Sequence, residues 1–161
     1  MNKYIIGVLI LAGLLAVALF FAPDEKKVAQ KQKIEVASVV IAEPVSYDFG
    51  SIDIFGGKVT TLYTLKNTGA EDVTILSGVT SCMCTEGQID DLTFGMHESS
   101  GTTITIPAGG EKILKAIYDP LAHGPEGVGA IKRDIVLKTN STETPQIKIV
   151  FSANVIKQTS Q

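Results

Sequence analysis

Every sulfur and imidazole in the chain, apart from Met1, lies between residues 82 and 123. Cys82, Met83 and Cys84 form one triplet in Ser81-Cys82-Met83-Cys84-Thr85, Met96 and His97 are adjacent, and His123 lies in Ala122-His123-Gly124-Pro125. Thiolate, thioether and imidazole are the soft and borderline donors that hold copper(I) or zinc. As a set they point to a metal centre. Cys82 and Cys84 would supply thiolates, and Met96, His97 or His123 would complete a three- or four-coordinate shell. Copper(I) comes before zinc, because thioethers would be idle on zinc. Two plainer readings stand beside this one. The cysteines form a disulfide, or they fill core as small apolar groups.

The charge around these donors is one-sided. No Lys or Arg occurs between Lys66 and Lys112, while Glu71, Asp72, Glu86, Asp90, Asp91, Glu98 and Glu111 do. An acidic field draws cations and repels phosphate backbones, which argues against nucleic acid as a partner. A Cys-X-Cys disulfide closes a tight ring. In an extended strand its alpha carbons would sit near the upper limit for bridging, so the bond would be strained and easily reduced. No Gly-X-Ser-X-Gly elbow and no phosphate-cradling loop occurs, so nothing points to hydrolysis. The expectation is a non-enzymatic protein, with thiol-redox chemistry as the alternative.

Elements must bring these donors together. The chain has 161 residues and opens on an apolar run, Tyr4 to Ala22. As a helix that run would be about 28 Å long, close to the hydrocarbon thickness of a bilayer. It is longer than a usual signal-peptide core, and Pro23 would hinder cleavage after Ala22. Residues 1–23 are therefore expected to be an uncleaved transmembrane signal-anchor. Lys3 and the short amino terminus favour an inside start, whereas Lys26, Lys27, Lys31 and Lys33 argue against it. A domain outside the cytoplasm, held to the cell membrane by a single pass, is the expected address. Residues 24–41, rich in Lys, Gln, Ala and Val, read as a tether, and 158–161 as a tail.

From 42 to 157 the composition changes to short alternating runs broken by Gly, Pro, Asn and Asp. Val59, Thr61, Tyr63 and Leu65 share one phase of a strand, and 73–79 is a second strand. Runs 104–106, 113–118 and 131–138 follow, and Ile147, Ile149, Phe151, Ala153 and Val155 give the clearest period of two. This predicts one all-β domain, an antiparallel sandwich of about seven to eight strands. Tyr63, Leu65, Leu114, Ala116, Tyr118, Ile149 and Phe151 carry its inward phase. Strand direction then places the donors. The 73–79 strand ends at the triplet, 104–106 returns, and 113–118 comes back to deliver the loop with His123. Met96 and His97 belong to the 86–103 insertion that starts from the same end, so all five candidate ligands are expected at one pole.

Several segments in order carry a resemblance. Tyr47-Asp48-Phe49-Gly50, Leu65-Lys66-Asn67-Thr68-Gly69, the Cys-Met-Cys triplet, Pro107-Ala108-Gly109-Gly110-Glu111, Ala116-Ile117-Tyr118-Asp119-Pro120 and Lys138-Thr139-Asn140 resemble the bacterial domain-of-unknown-function family 1573. The resemblance covers about residues 42 to 156. It implies an immunoglobulin-like sandwich of the major-sperm-protein type, exported or tethered to the membrane, and implies no reaction. This chain departs from the commoner pattern in having Met83 rather than Gly between the cysteines, a longer stretch carrying Met96-His97, and His123 in the later loop. The expectation is a binding or scaffold module that meets a protein partner of the cell envelope, with copper(I) handling or thiol-redox chemistry as the alternative.

Overall fold

A computed structural model describes residues 35–99 and 101–158. The expected signal-anchor, most of the tether and the last residues of the tail lie outside the described residues. Among those described, no helix is long and apolar enough to cross a membrane.

Among the described residues ten strands form two five-stranded sheets, where seven to eight strands were expected. They are β1 (Val40–Glu43), β2 (Ser46–Asp53), β3 (Val59–Asn67), β4 (Val73–Thr80), β5 (Thr85–Ile89), β6 (Leu92–Phe94), β7 (Ile104–Ile106), β8 (Glu111–Tyr118), β9 (Gly129–Thr139) and β10 (Gln146–Ile156). One sheet has the order β1-β3-β8-β5-β6 and the other β2-β10-β9-β4-β7. The pairing is antiparallel except between β2 and β10, which run parallel. The chain changes sheets between β1 and β2 at the cis Glu43–Pro44 bond, where a residue without an N–H does not interrupt a ladder.

The period-two runs bury the residues that the alternation selects. Tyr63, Leu65, Leu114, Ala116, Tyr118, Ile149 and Phe151 are all buried between the sheets. The extra strands are those whose sequence hides the pattern. β5 reads Thr-Glu-Gly-Gln-Ile, yet Thr85, Gly87 and Ile89 face inward. β2 carries Gly50 at φ +67°, and its register with β10 shifts between Ser152 and Asn154. That is how a bulge disrupts simple alternation.

Two close approaches require glycine. The Phe94 ring of β6 lies against Gly78 of β4 and Gly87 of β5, where a β-carbon would overlap it. Phe94 thereby joins the two sheets. In the turn after β3, a β-carbon on Gly69 would collide with Ser38. The buried Asn67 amide holds this turn. Its Nδ2 donates to Glu71 O at 2.8 Å and Ile106 O at 3.1 Å, and its Oδ1 accepts from Gly69 N at 3.0 Å. Residues 36–39, expected as the end of the tether, are already folded. Val36 bridges to Ser141, and Ser38 Oγ exchanges hydrogen bonds with Glu71 N and O at 3.0 Å.

Candidate functional site

The triplet forms the crossing from β4 in one sheet to β5 in the other. Such a crossing must turn within four residues, so backbone bonds pin it on every side. Ser81 N donates to Asp134 O at 2.9 Å, Thr85 N to Cys82 O at 3.1 Å, and Asp119 N to Cys84 O at 2.9 Å. The buried Thr80 Oγ1 reaches Cys82 O at 3.0 Å and Thr85 O at 3.1 Å. Because the segment is a turn, the alpha carbons of Cys82 and Cys84 come to 5.2 Å, and the two residues form a disulfide. That separation is ordinary for a disulfide. The expectation of a span near the limit rested on an extended strand, which this segment is not.

Each sulfur has its own polar neighbour. Cys82 Sγ lies 3.1 Å from His123 Nε2 and accepts from Cys84 N at 3.2 Å. Cys84 Sγ accepts from Arg133 Nε at 3.1 Å and lies 3.7 Å from Thr85 Oγ1. His123 is delivered by the loop after β8, which winds through successive turns. Leu121 N donates to Asp119 Oδ1 at 3.0 Å, and Gly124 N to Leu121 O at 2.8 Å. Gly124 adopts φ +83°, a conformation open to glycine at little cost.

Arg133 reaches the site from β9. Its Nη1 donates to Lys132 O at 2.9 Å, and its guanidinium lies 6.0 Å from the centre of the Tyr118 ring. Burial pushes the Tyr118 phenol up, against the opposing pull of Arg133. Rings continue from there through the core to the β2 edge. Tyr118 lies 5.6 Å from Phe151, Phe151 5.7 Å from Phe49, and Phe49 4.9 Å from Tyr47 on β2.

The donor atoms of Cys82, Cys84 and His123 lie within 4.8 Å of one another, the convergence that strand direction predicted. His97 is outside this group. Met96 and His97 belong to a segment that turns back along β4, with Thr80 N donating to Gly95 O at 2.8 Å and Ser99 N to Gly78 O at 3.1 Å. Its anchor is Glu98, which accepts from Ser77 Oγ at 2.5 Å and pairs with Lys138 at 2.8 Å. The Lys138 contact, then the Ser77 bond, hold the Glu98 carboxyl below its usual range. As joined here, the sulfurs offer no thiolate to an ion, and this weakens the copper(I) reading. The acidic field is also partly neutralised, with Asp90 paired to Lys112 at 2.6 Å.

Arg133 was not singled out from the sequence. It is the only arginine in the chain, and it occupies the same phase as Ile131, Ile135 and Leu137. A cation in the apolar phase of a strand was the available signal.

No curated protein matches the chain. Among solved structures, a protein of unknown function from Porphyromonas gingivalis W83 is similar over 80% of this chain and 51% of its own, with 20% identity and a TM-score of 0.59. The present chain thus spans about half of that protein. A family 123 glycoside hydrolase from Clostridium perfringens is similar over 78% of this chain and 28% of its own, with 5% identity and a TM-score of 0.50. SSP-19, an MSP-domain protein like family member of Caenorhabditis elegans, is 14% identical over 70% of this chain and 97% of its own, with a TM-score of 0.44. At these identities likeness concerns fold and carries no activity. Residues 40–155 match the model of one family, and the chain belongs to it: the proteins of unknown function DUF1573.

Proposed function

We propose that this protein is a membrane-tethered binding module held outside the cytoplasm, and that it takes an extended segment of a protein partner along β2. The observation that carries this reading is the aromatic stack on a sheet edge. β2 is eight residues long and, among the described residues, has β10 on one side only. Tyr47 is 42% exposed and packs edge-to-face on Phe49, which packs on buried Phe151. A free edge offers unpaired N–H and C=O groups, and an incoming strand completes them. An exposed aromatic backed by core is the kind of side chain that anchors such a partner. The disulfide supports the address, since such bonds persist in oxidising compartments. The apolar run Tyr4 to Ala22 supplies a span for the tether.

The test compares two surface substitutions in the full chain, extracted from the envelope in mild detergent. Tyr47→Asp removes the anchor. Leu62→Asp, on the exposed face of β3, serves as control. The wild-type protein and Leu62→Asp are expected to migrate as a complex larger than the single chain, and Tyr47→Asp as the single chain. A wild-type protein that migrates alone would contradict this reading. Copper(I) handling takes second place, because it requires the Cys82–Cys84 bond to be reduced first.

A further inference from the structure

The surroundings of the Cys82–Cys84 bond match its reduced form better than the bond itself. A neutral disulfide sulfur is a weak acceptor and gains little from donors. A thiolate gains a great deal from a guanidinium or a backbone N–H, and an imidazole beside it can carry its proton. Both sulfurs nevertheless have such neighbours, His123 and Cys84 N at Cys82, and Arg133 at Cys84. Arg133 is held in place by Lys132 O and the Tyr118 face. The nearest carboxylate in sequence, Asp134, is occupied by Lys148 at 2.8 Å. Both cysteines are buried, Cys82 at 9% and Cys84 at 3%, whereas Met83 between them is 69% exposed, so a partner's thiolate reaches the pair as the turn around Met83 opens.

We propose that Cys82–Cys84 is a thiol–disulfide exchange site that accepts two electrons from a dithiol on a protein partner. A partner thiolate attacks Sγ of Cys82, the less buried of the two residues. The Cys82–Cys84 bond breaks, and Cys84 leaves with the electron pair as a thiolate that Arg133 Nε receives. His123 then takes the proton of the partner's second thiol. That sulfur attacks the partner's own sulfur in the mixed disulfide, and Cys82 leaves and takes the proton from His123. The partner's two thiols become a disulfide, and Cys82 and Cys84 become thiols, with the remaining proton exchanged through water. Stabilising the departing thiolate makes the pair more oxidising. Arg133 is a positioning and charge-stabilising residue, not one that exchanges electrons. This inference is independent of the β2 reading, and either can fail alone.

The test is the redox equilibrium of the full chain in detergent, equilibrated with graded mixtures of reduced and oxidised glutathione and read by alkylation of free thiols. The wild-type pair is expected to be reduced within the span of the glutathione couple. Arg133→Met is expected to move the equilibrium about tenfold towards the disulfide, equal to about 30 mV. Arg133→Lys, which keeps a charge, is expected to recover part of that shift. A merely structural arginine would leave the equilibrium of a folded variant unmoved, and that result would overturn the proposal. Should Arg133→Met fail to fold, the wild-type titration decides alone. A pair still oxidised at the most reducing mixture is a structural disulfide and ends the proposal.

Discussion

Tyr63 shows how one buried polar atom makes stability depend on pH. Its hydroxyl donates to Val150 O at 3.1 Å across the core. Burial, with a smaller contribution from Tyr47, pushes the phenol up to about 12 from 10.0. The folded state therefore keeps the proton at a pH where the unfolded chain releases it. The stability from this group is complete below about pH 10 and is lost as pH rises towards 12, amounting to about 2–3 kcal/mol. Tyr63→Phe should cost about 1 kcal/mol at neutral pH and flatten the decline between pH 10 and 12, as read by urea unfolding across that range. Asn67→Ala should cost more, about 1–3 kcal/mol, because the buried Ile106 carbonyl loses this donor and Gly69 N loses its acceptor in the turn. The same unfolding curves at neutral pH measure it. Asn67 was legible as a turn residue, but its burial was not, since a turn asparagine commonly faces water. Arg133 was hidden for a related reason. Alternation reports which face a side chain takes, and says nothing of the sulfur that meets it there.

At the scale of elements, β6 is short but structurally central. Phe94 fills the space between Gly78 and Gly87, one from each sheet. Gly87→Ala should destabilise the fold by about 1–3 kcal/mol through overpacking. Phe94→Leu should relieve part of that cost, so a double-mutant cycle on thermal or urea unfolding should give a clear coupling energy. Additive effects would show that the ring moves aside freely. The hairpin of β5 and β6 was invisible in the sequence, because Glu86, Gly87 and Gln88 read as loop. The direction argument still delivered His123 to the cysteines. Two missed antiparallel strands restore the direction of the chain, so their omission cancels. The same argument did not bring His97 to the sulfurs, because its segment turns back along β4, where Glu98 holds Ser77 and Lys138. The all-β sandwich was legible from its long period-two strands. The parallel pairing of β2 with β10 was not, because the Gly50 bulge breaks the pattern there.

Across the whole molecule, the β2 edge and the cysteine pair belong to one connected cluster. Tyr47, Phe49, Phe151, Tyr118 and Arg133 form a continuous series of contacts that ends at Cys84 Sγ. A partner lying along β2 would therefore approach the same region as one exchanging thiols. The aromatic edge explains why the Asp48-Phe49-Gly50 segment matters to the fold. Phe49 packs on the core, and Gly50 at φ +67° makes the bend that β2 needs. Photocrosslinking in the intact envelope tests the binding reading most directly. A photoreactive phenylalanine at position 47 of the full chain is compared with the same residue at position 62. A discrete adduct of the chain with one other protein is predicted at position 47, and none at position 62. No adduct at position 47, or the same adduct at both positions, would contradict a partner bound along the β2 edge.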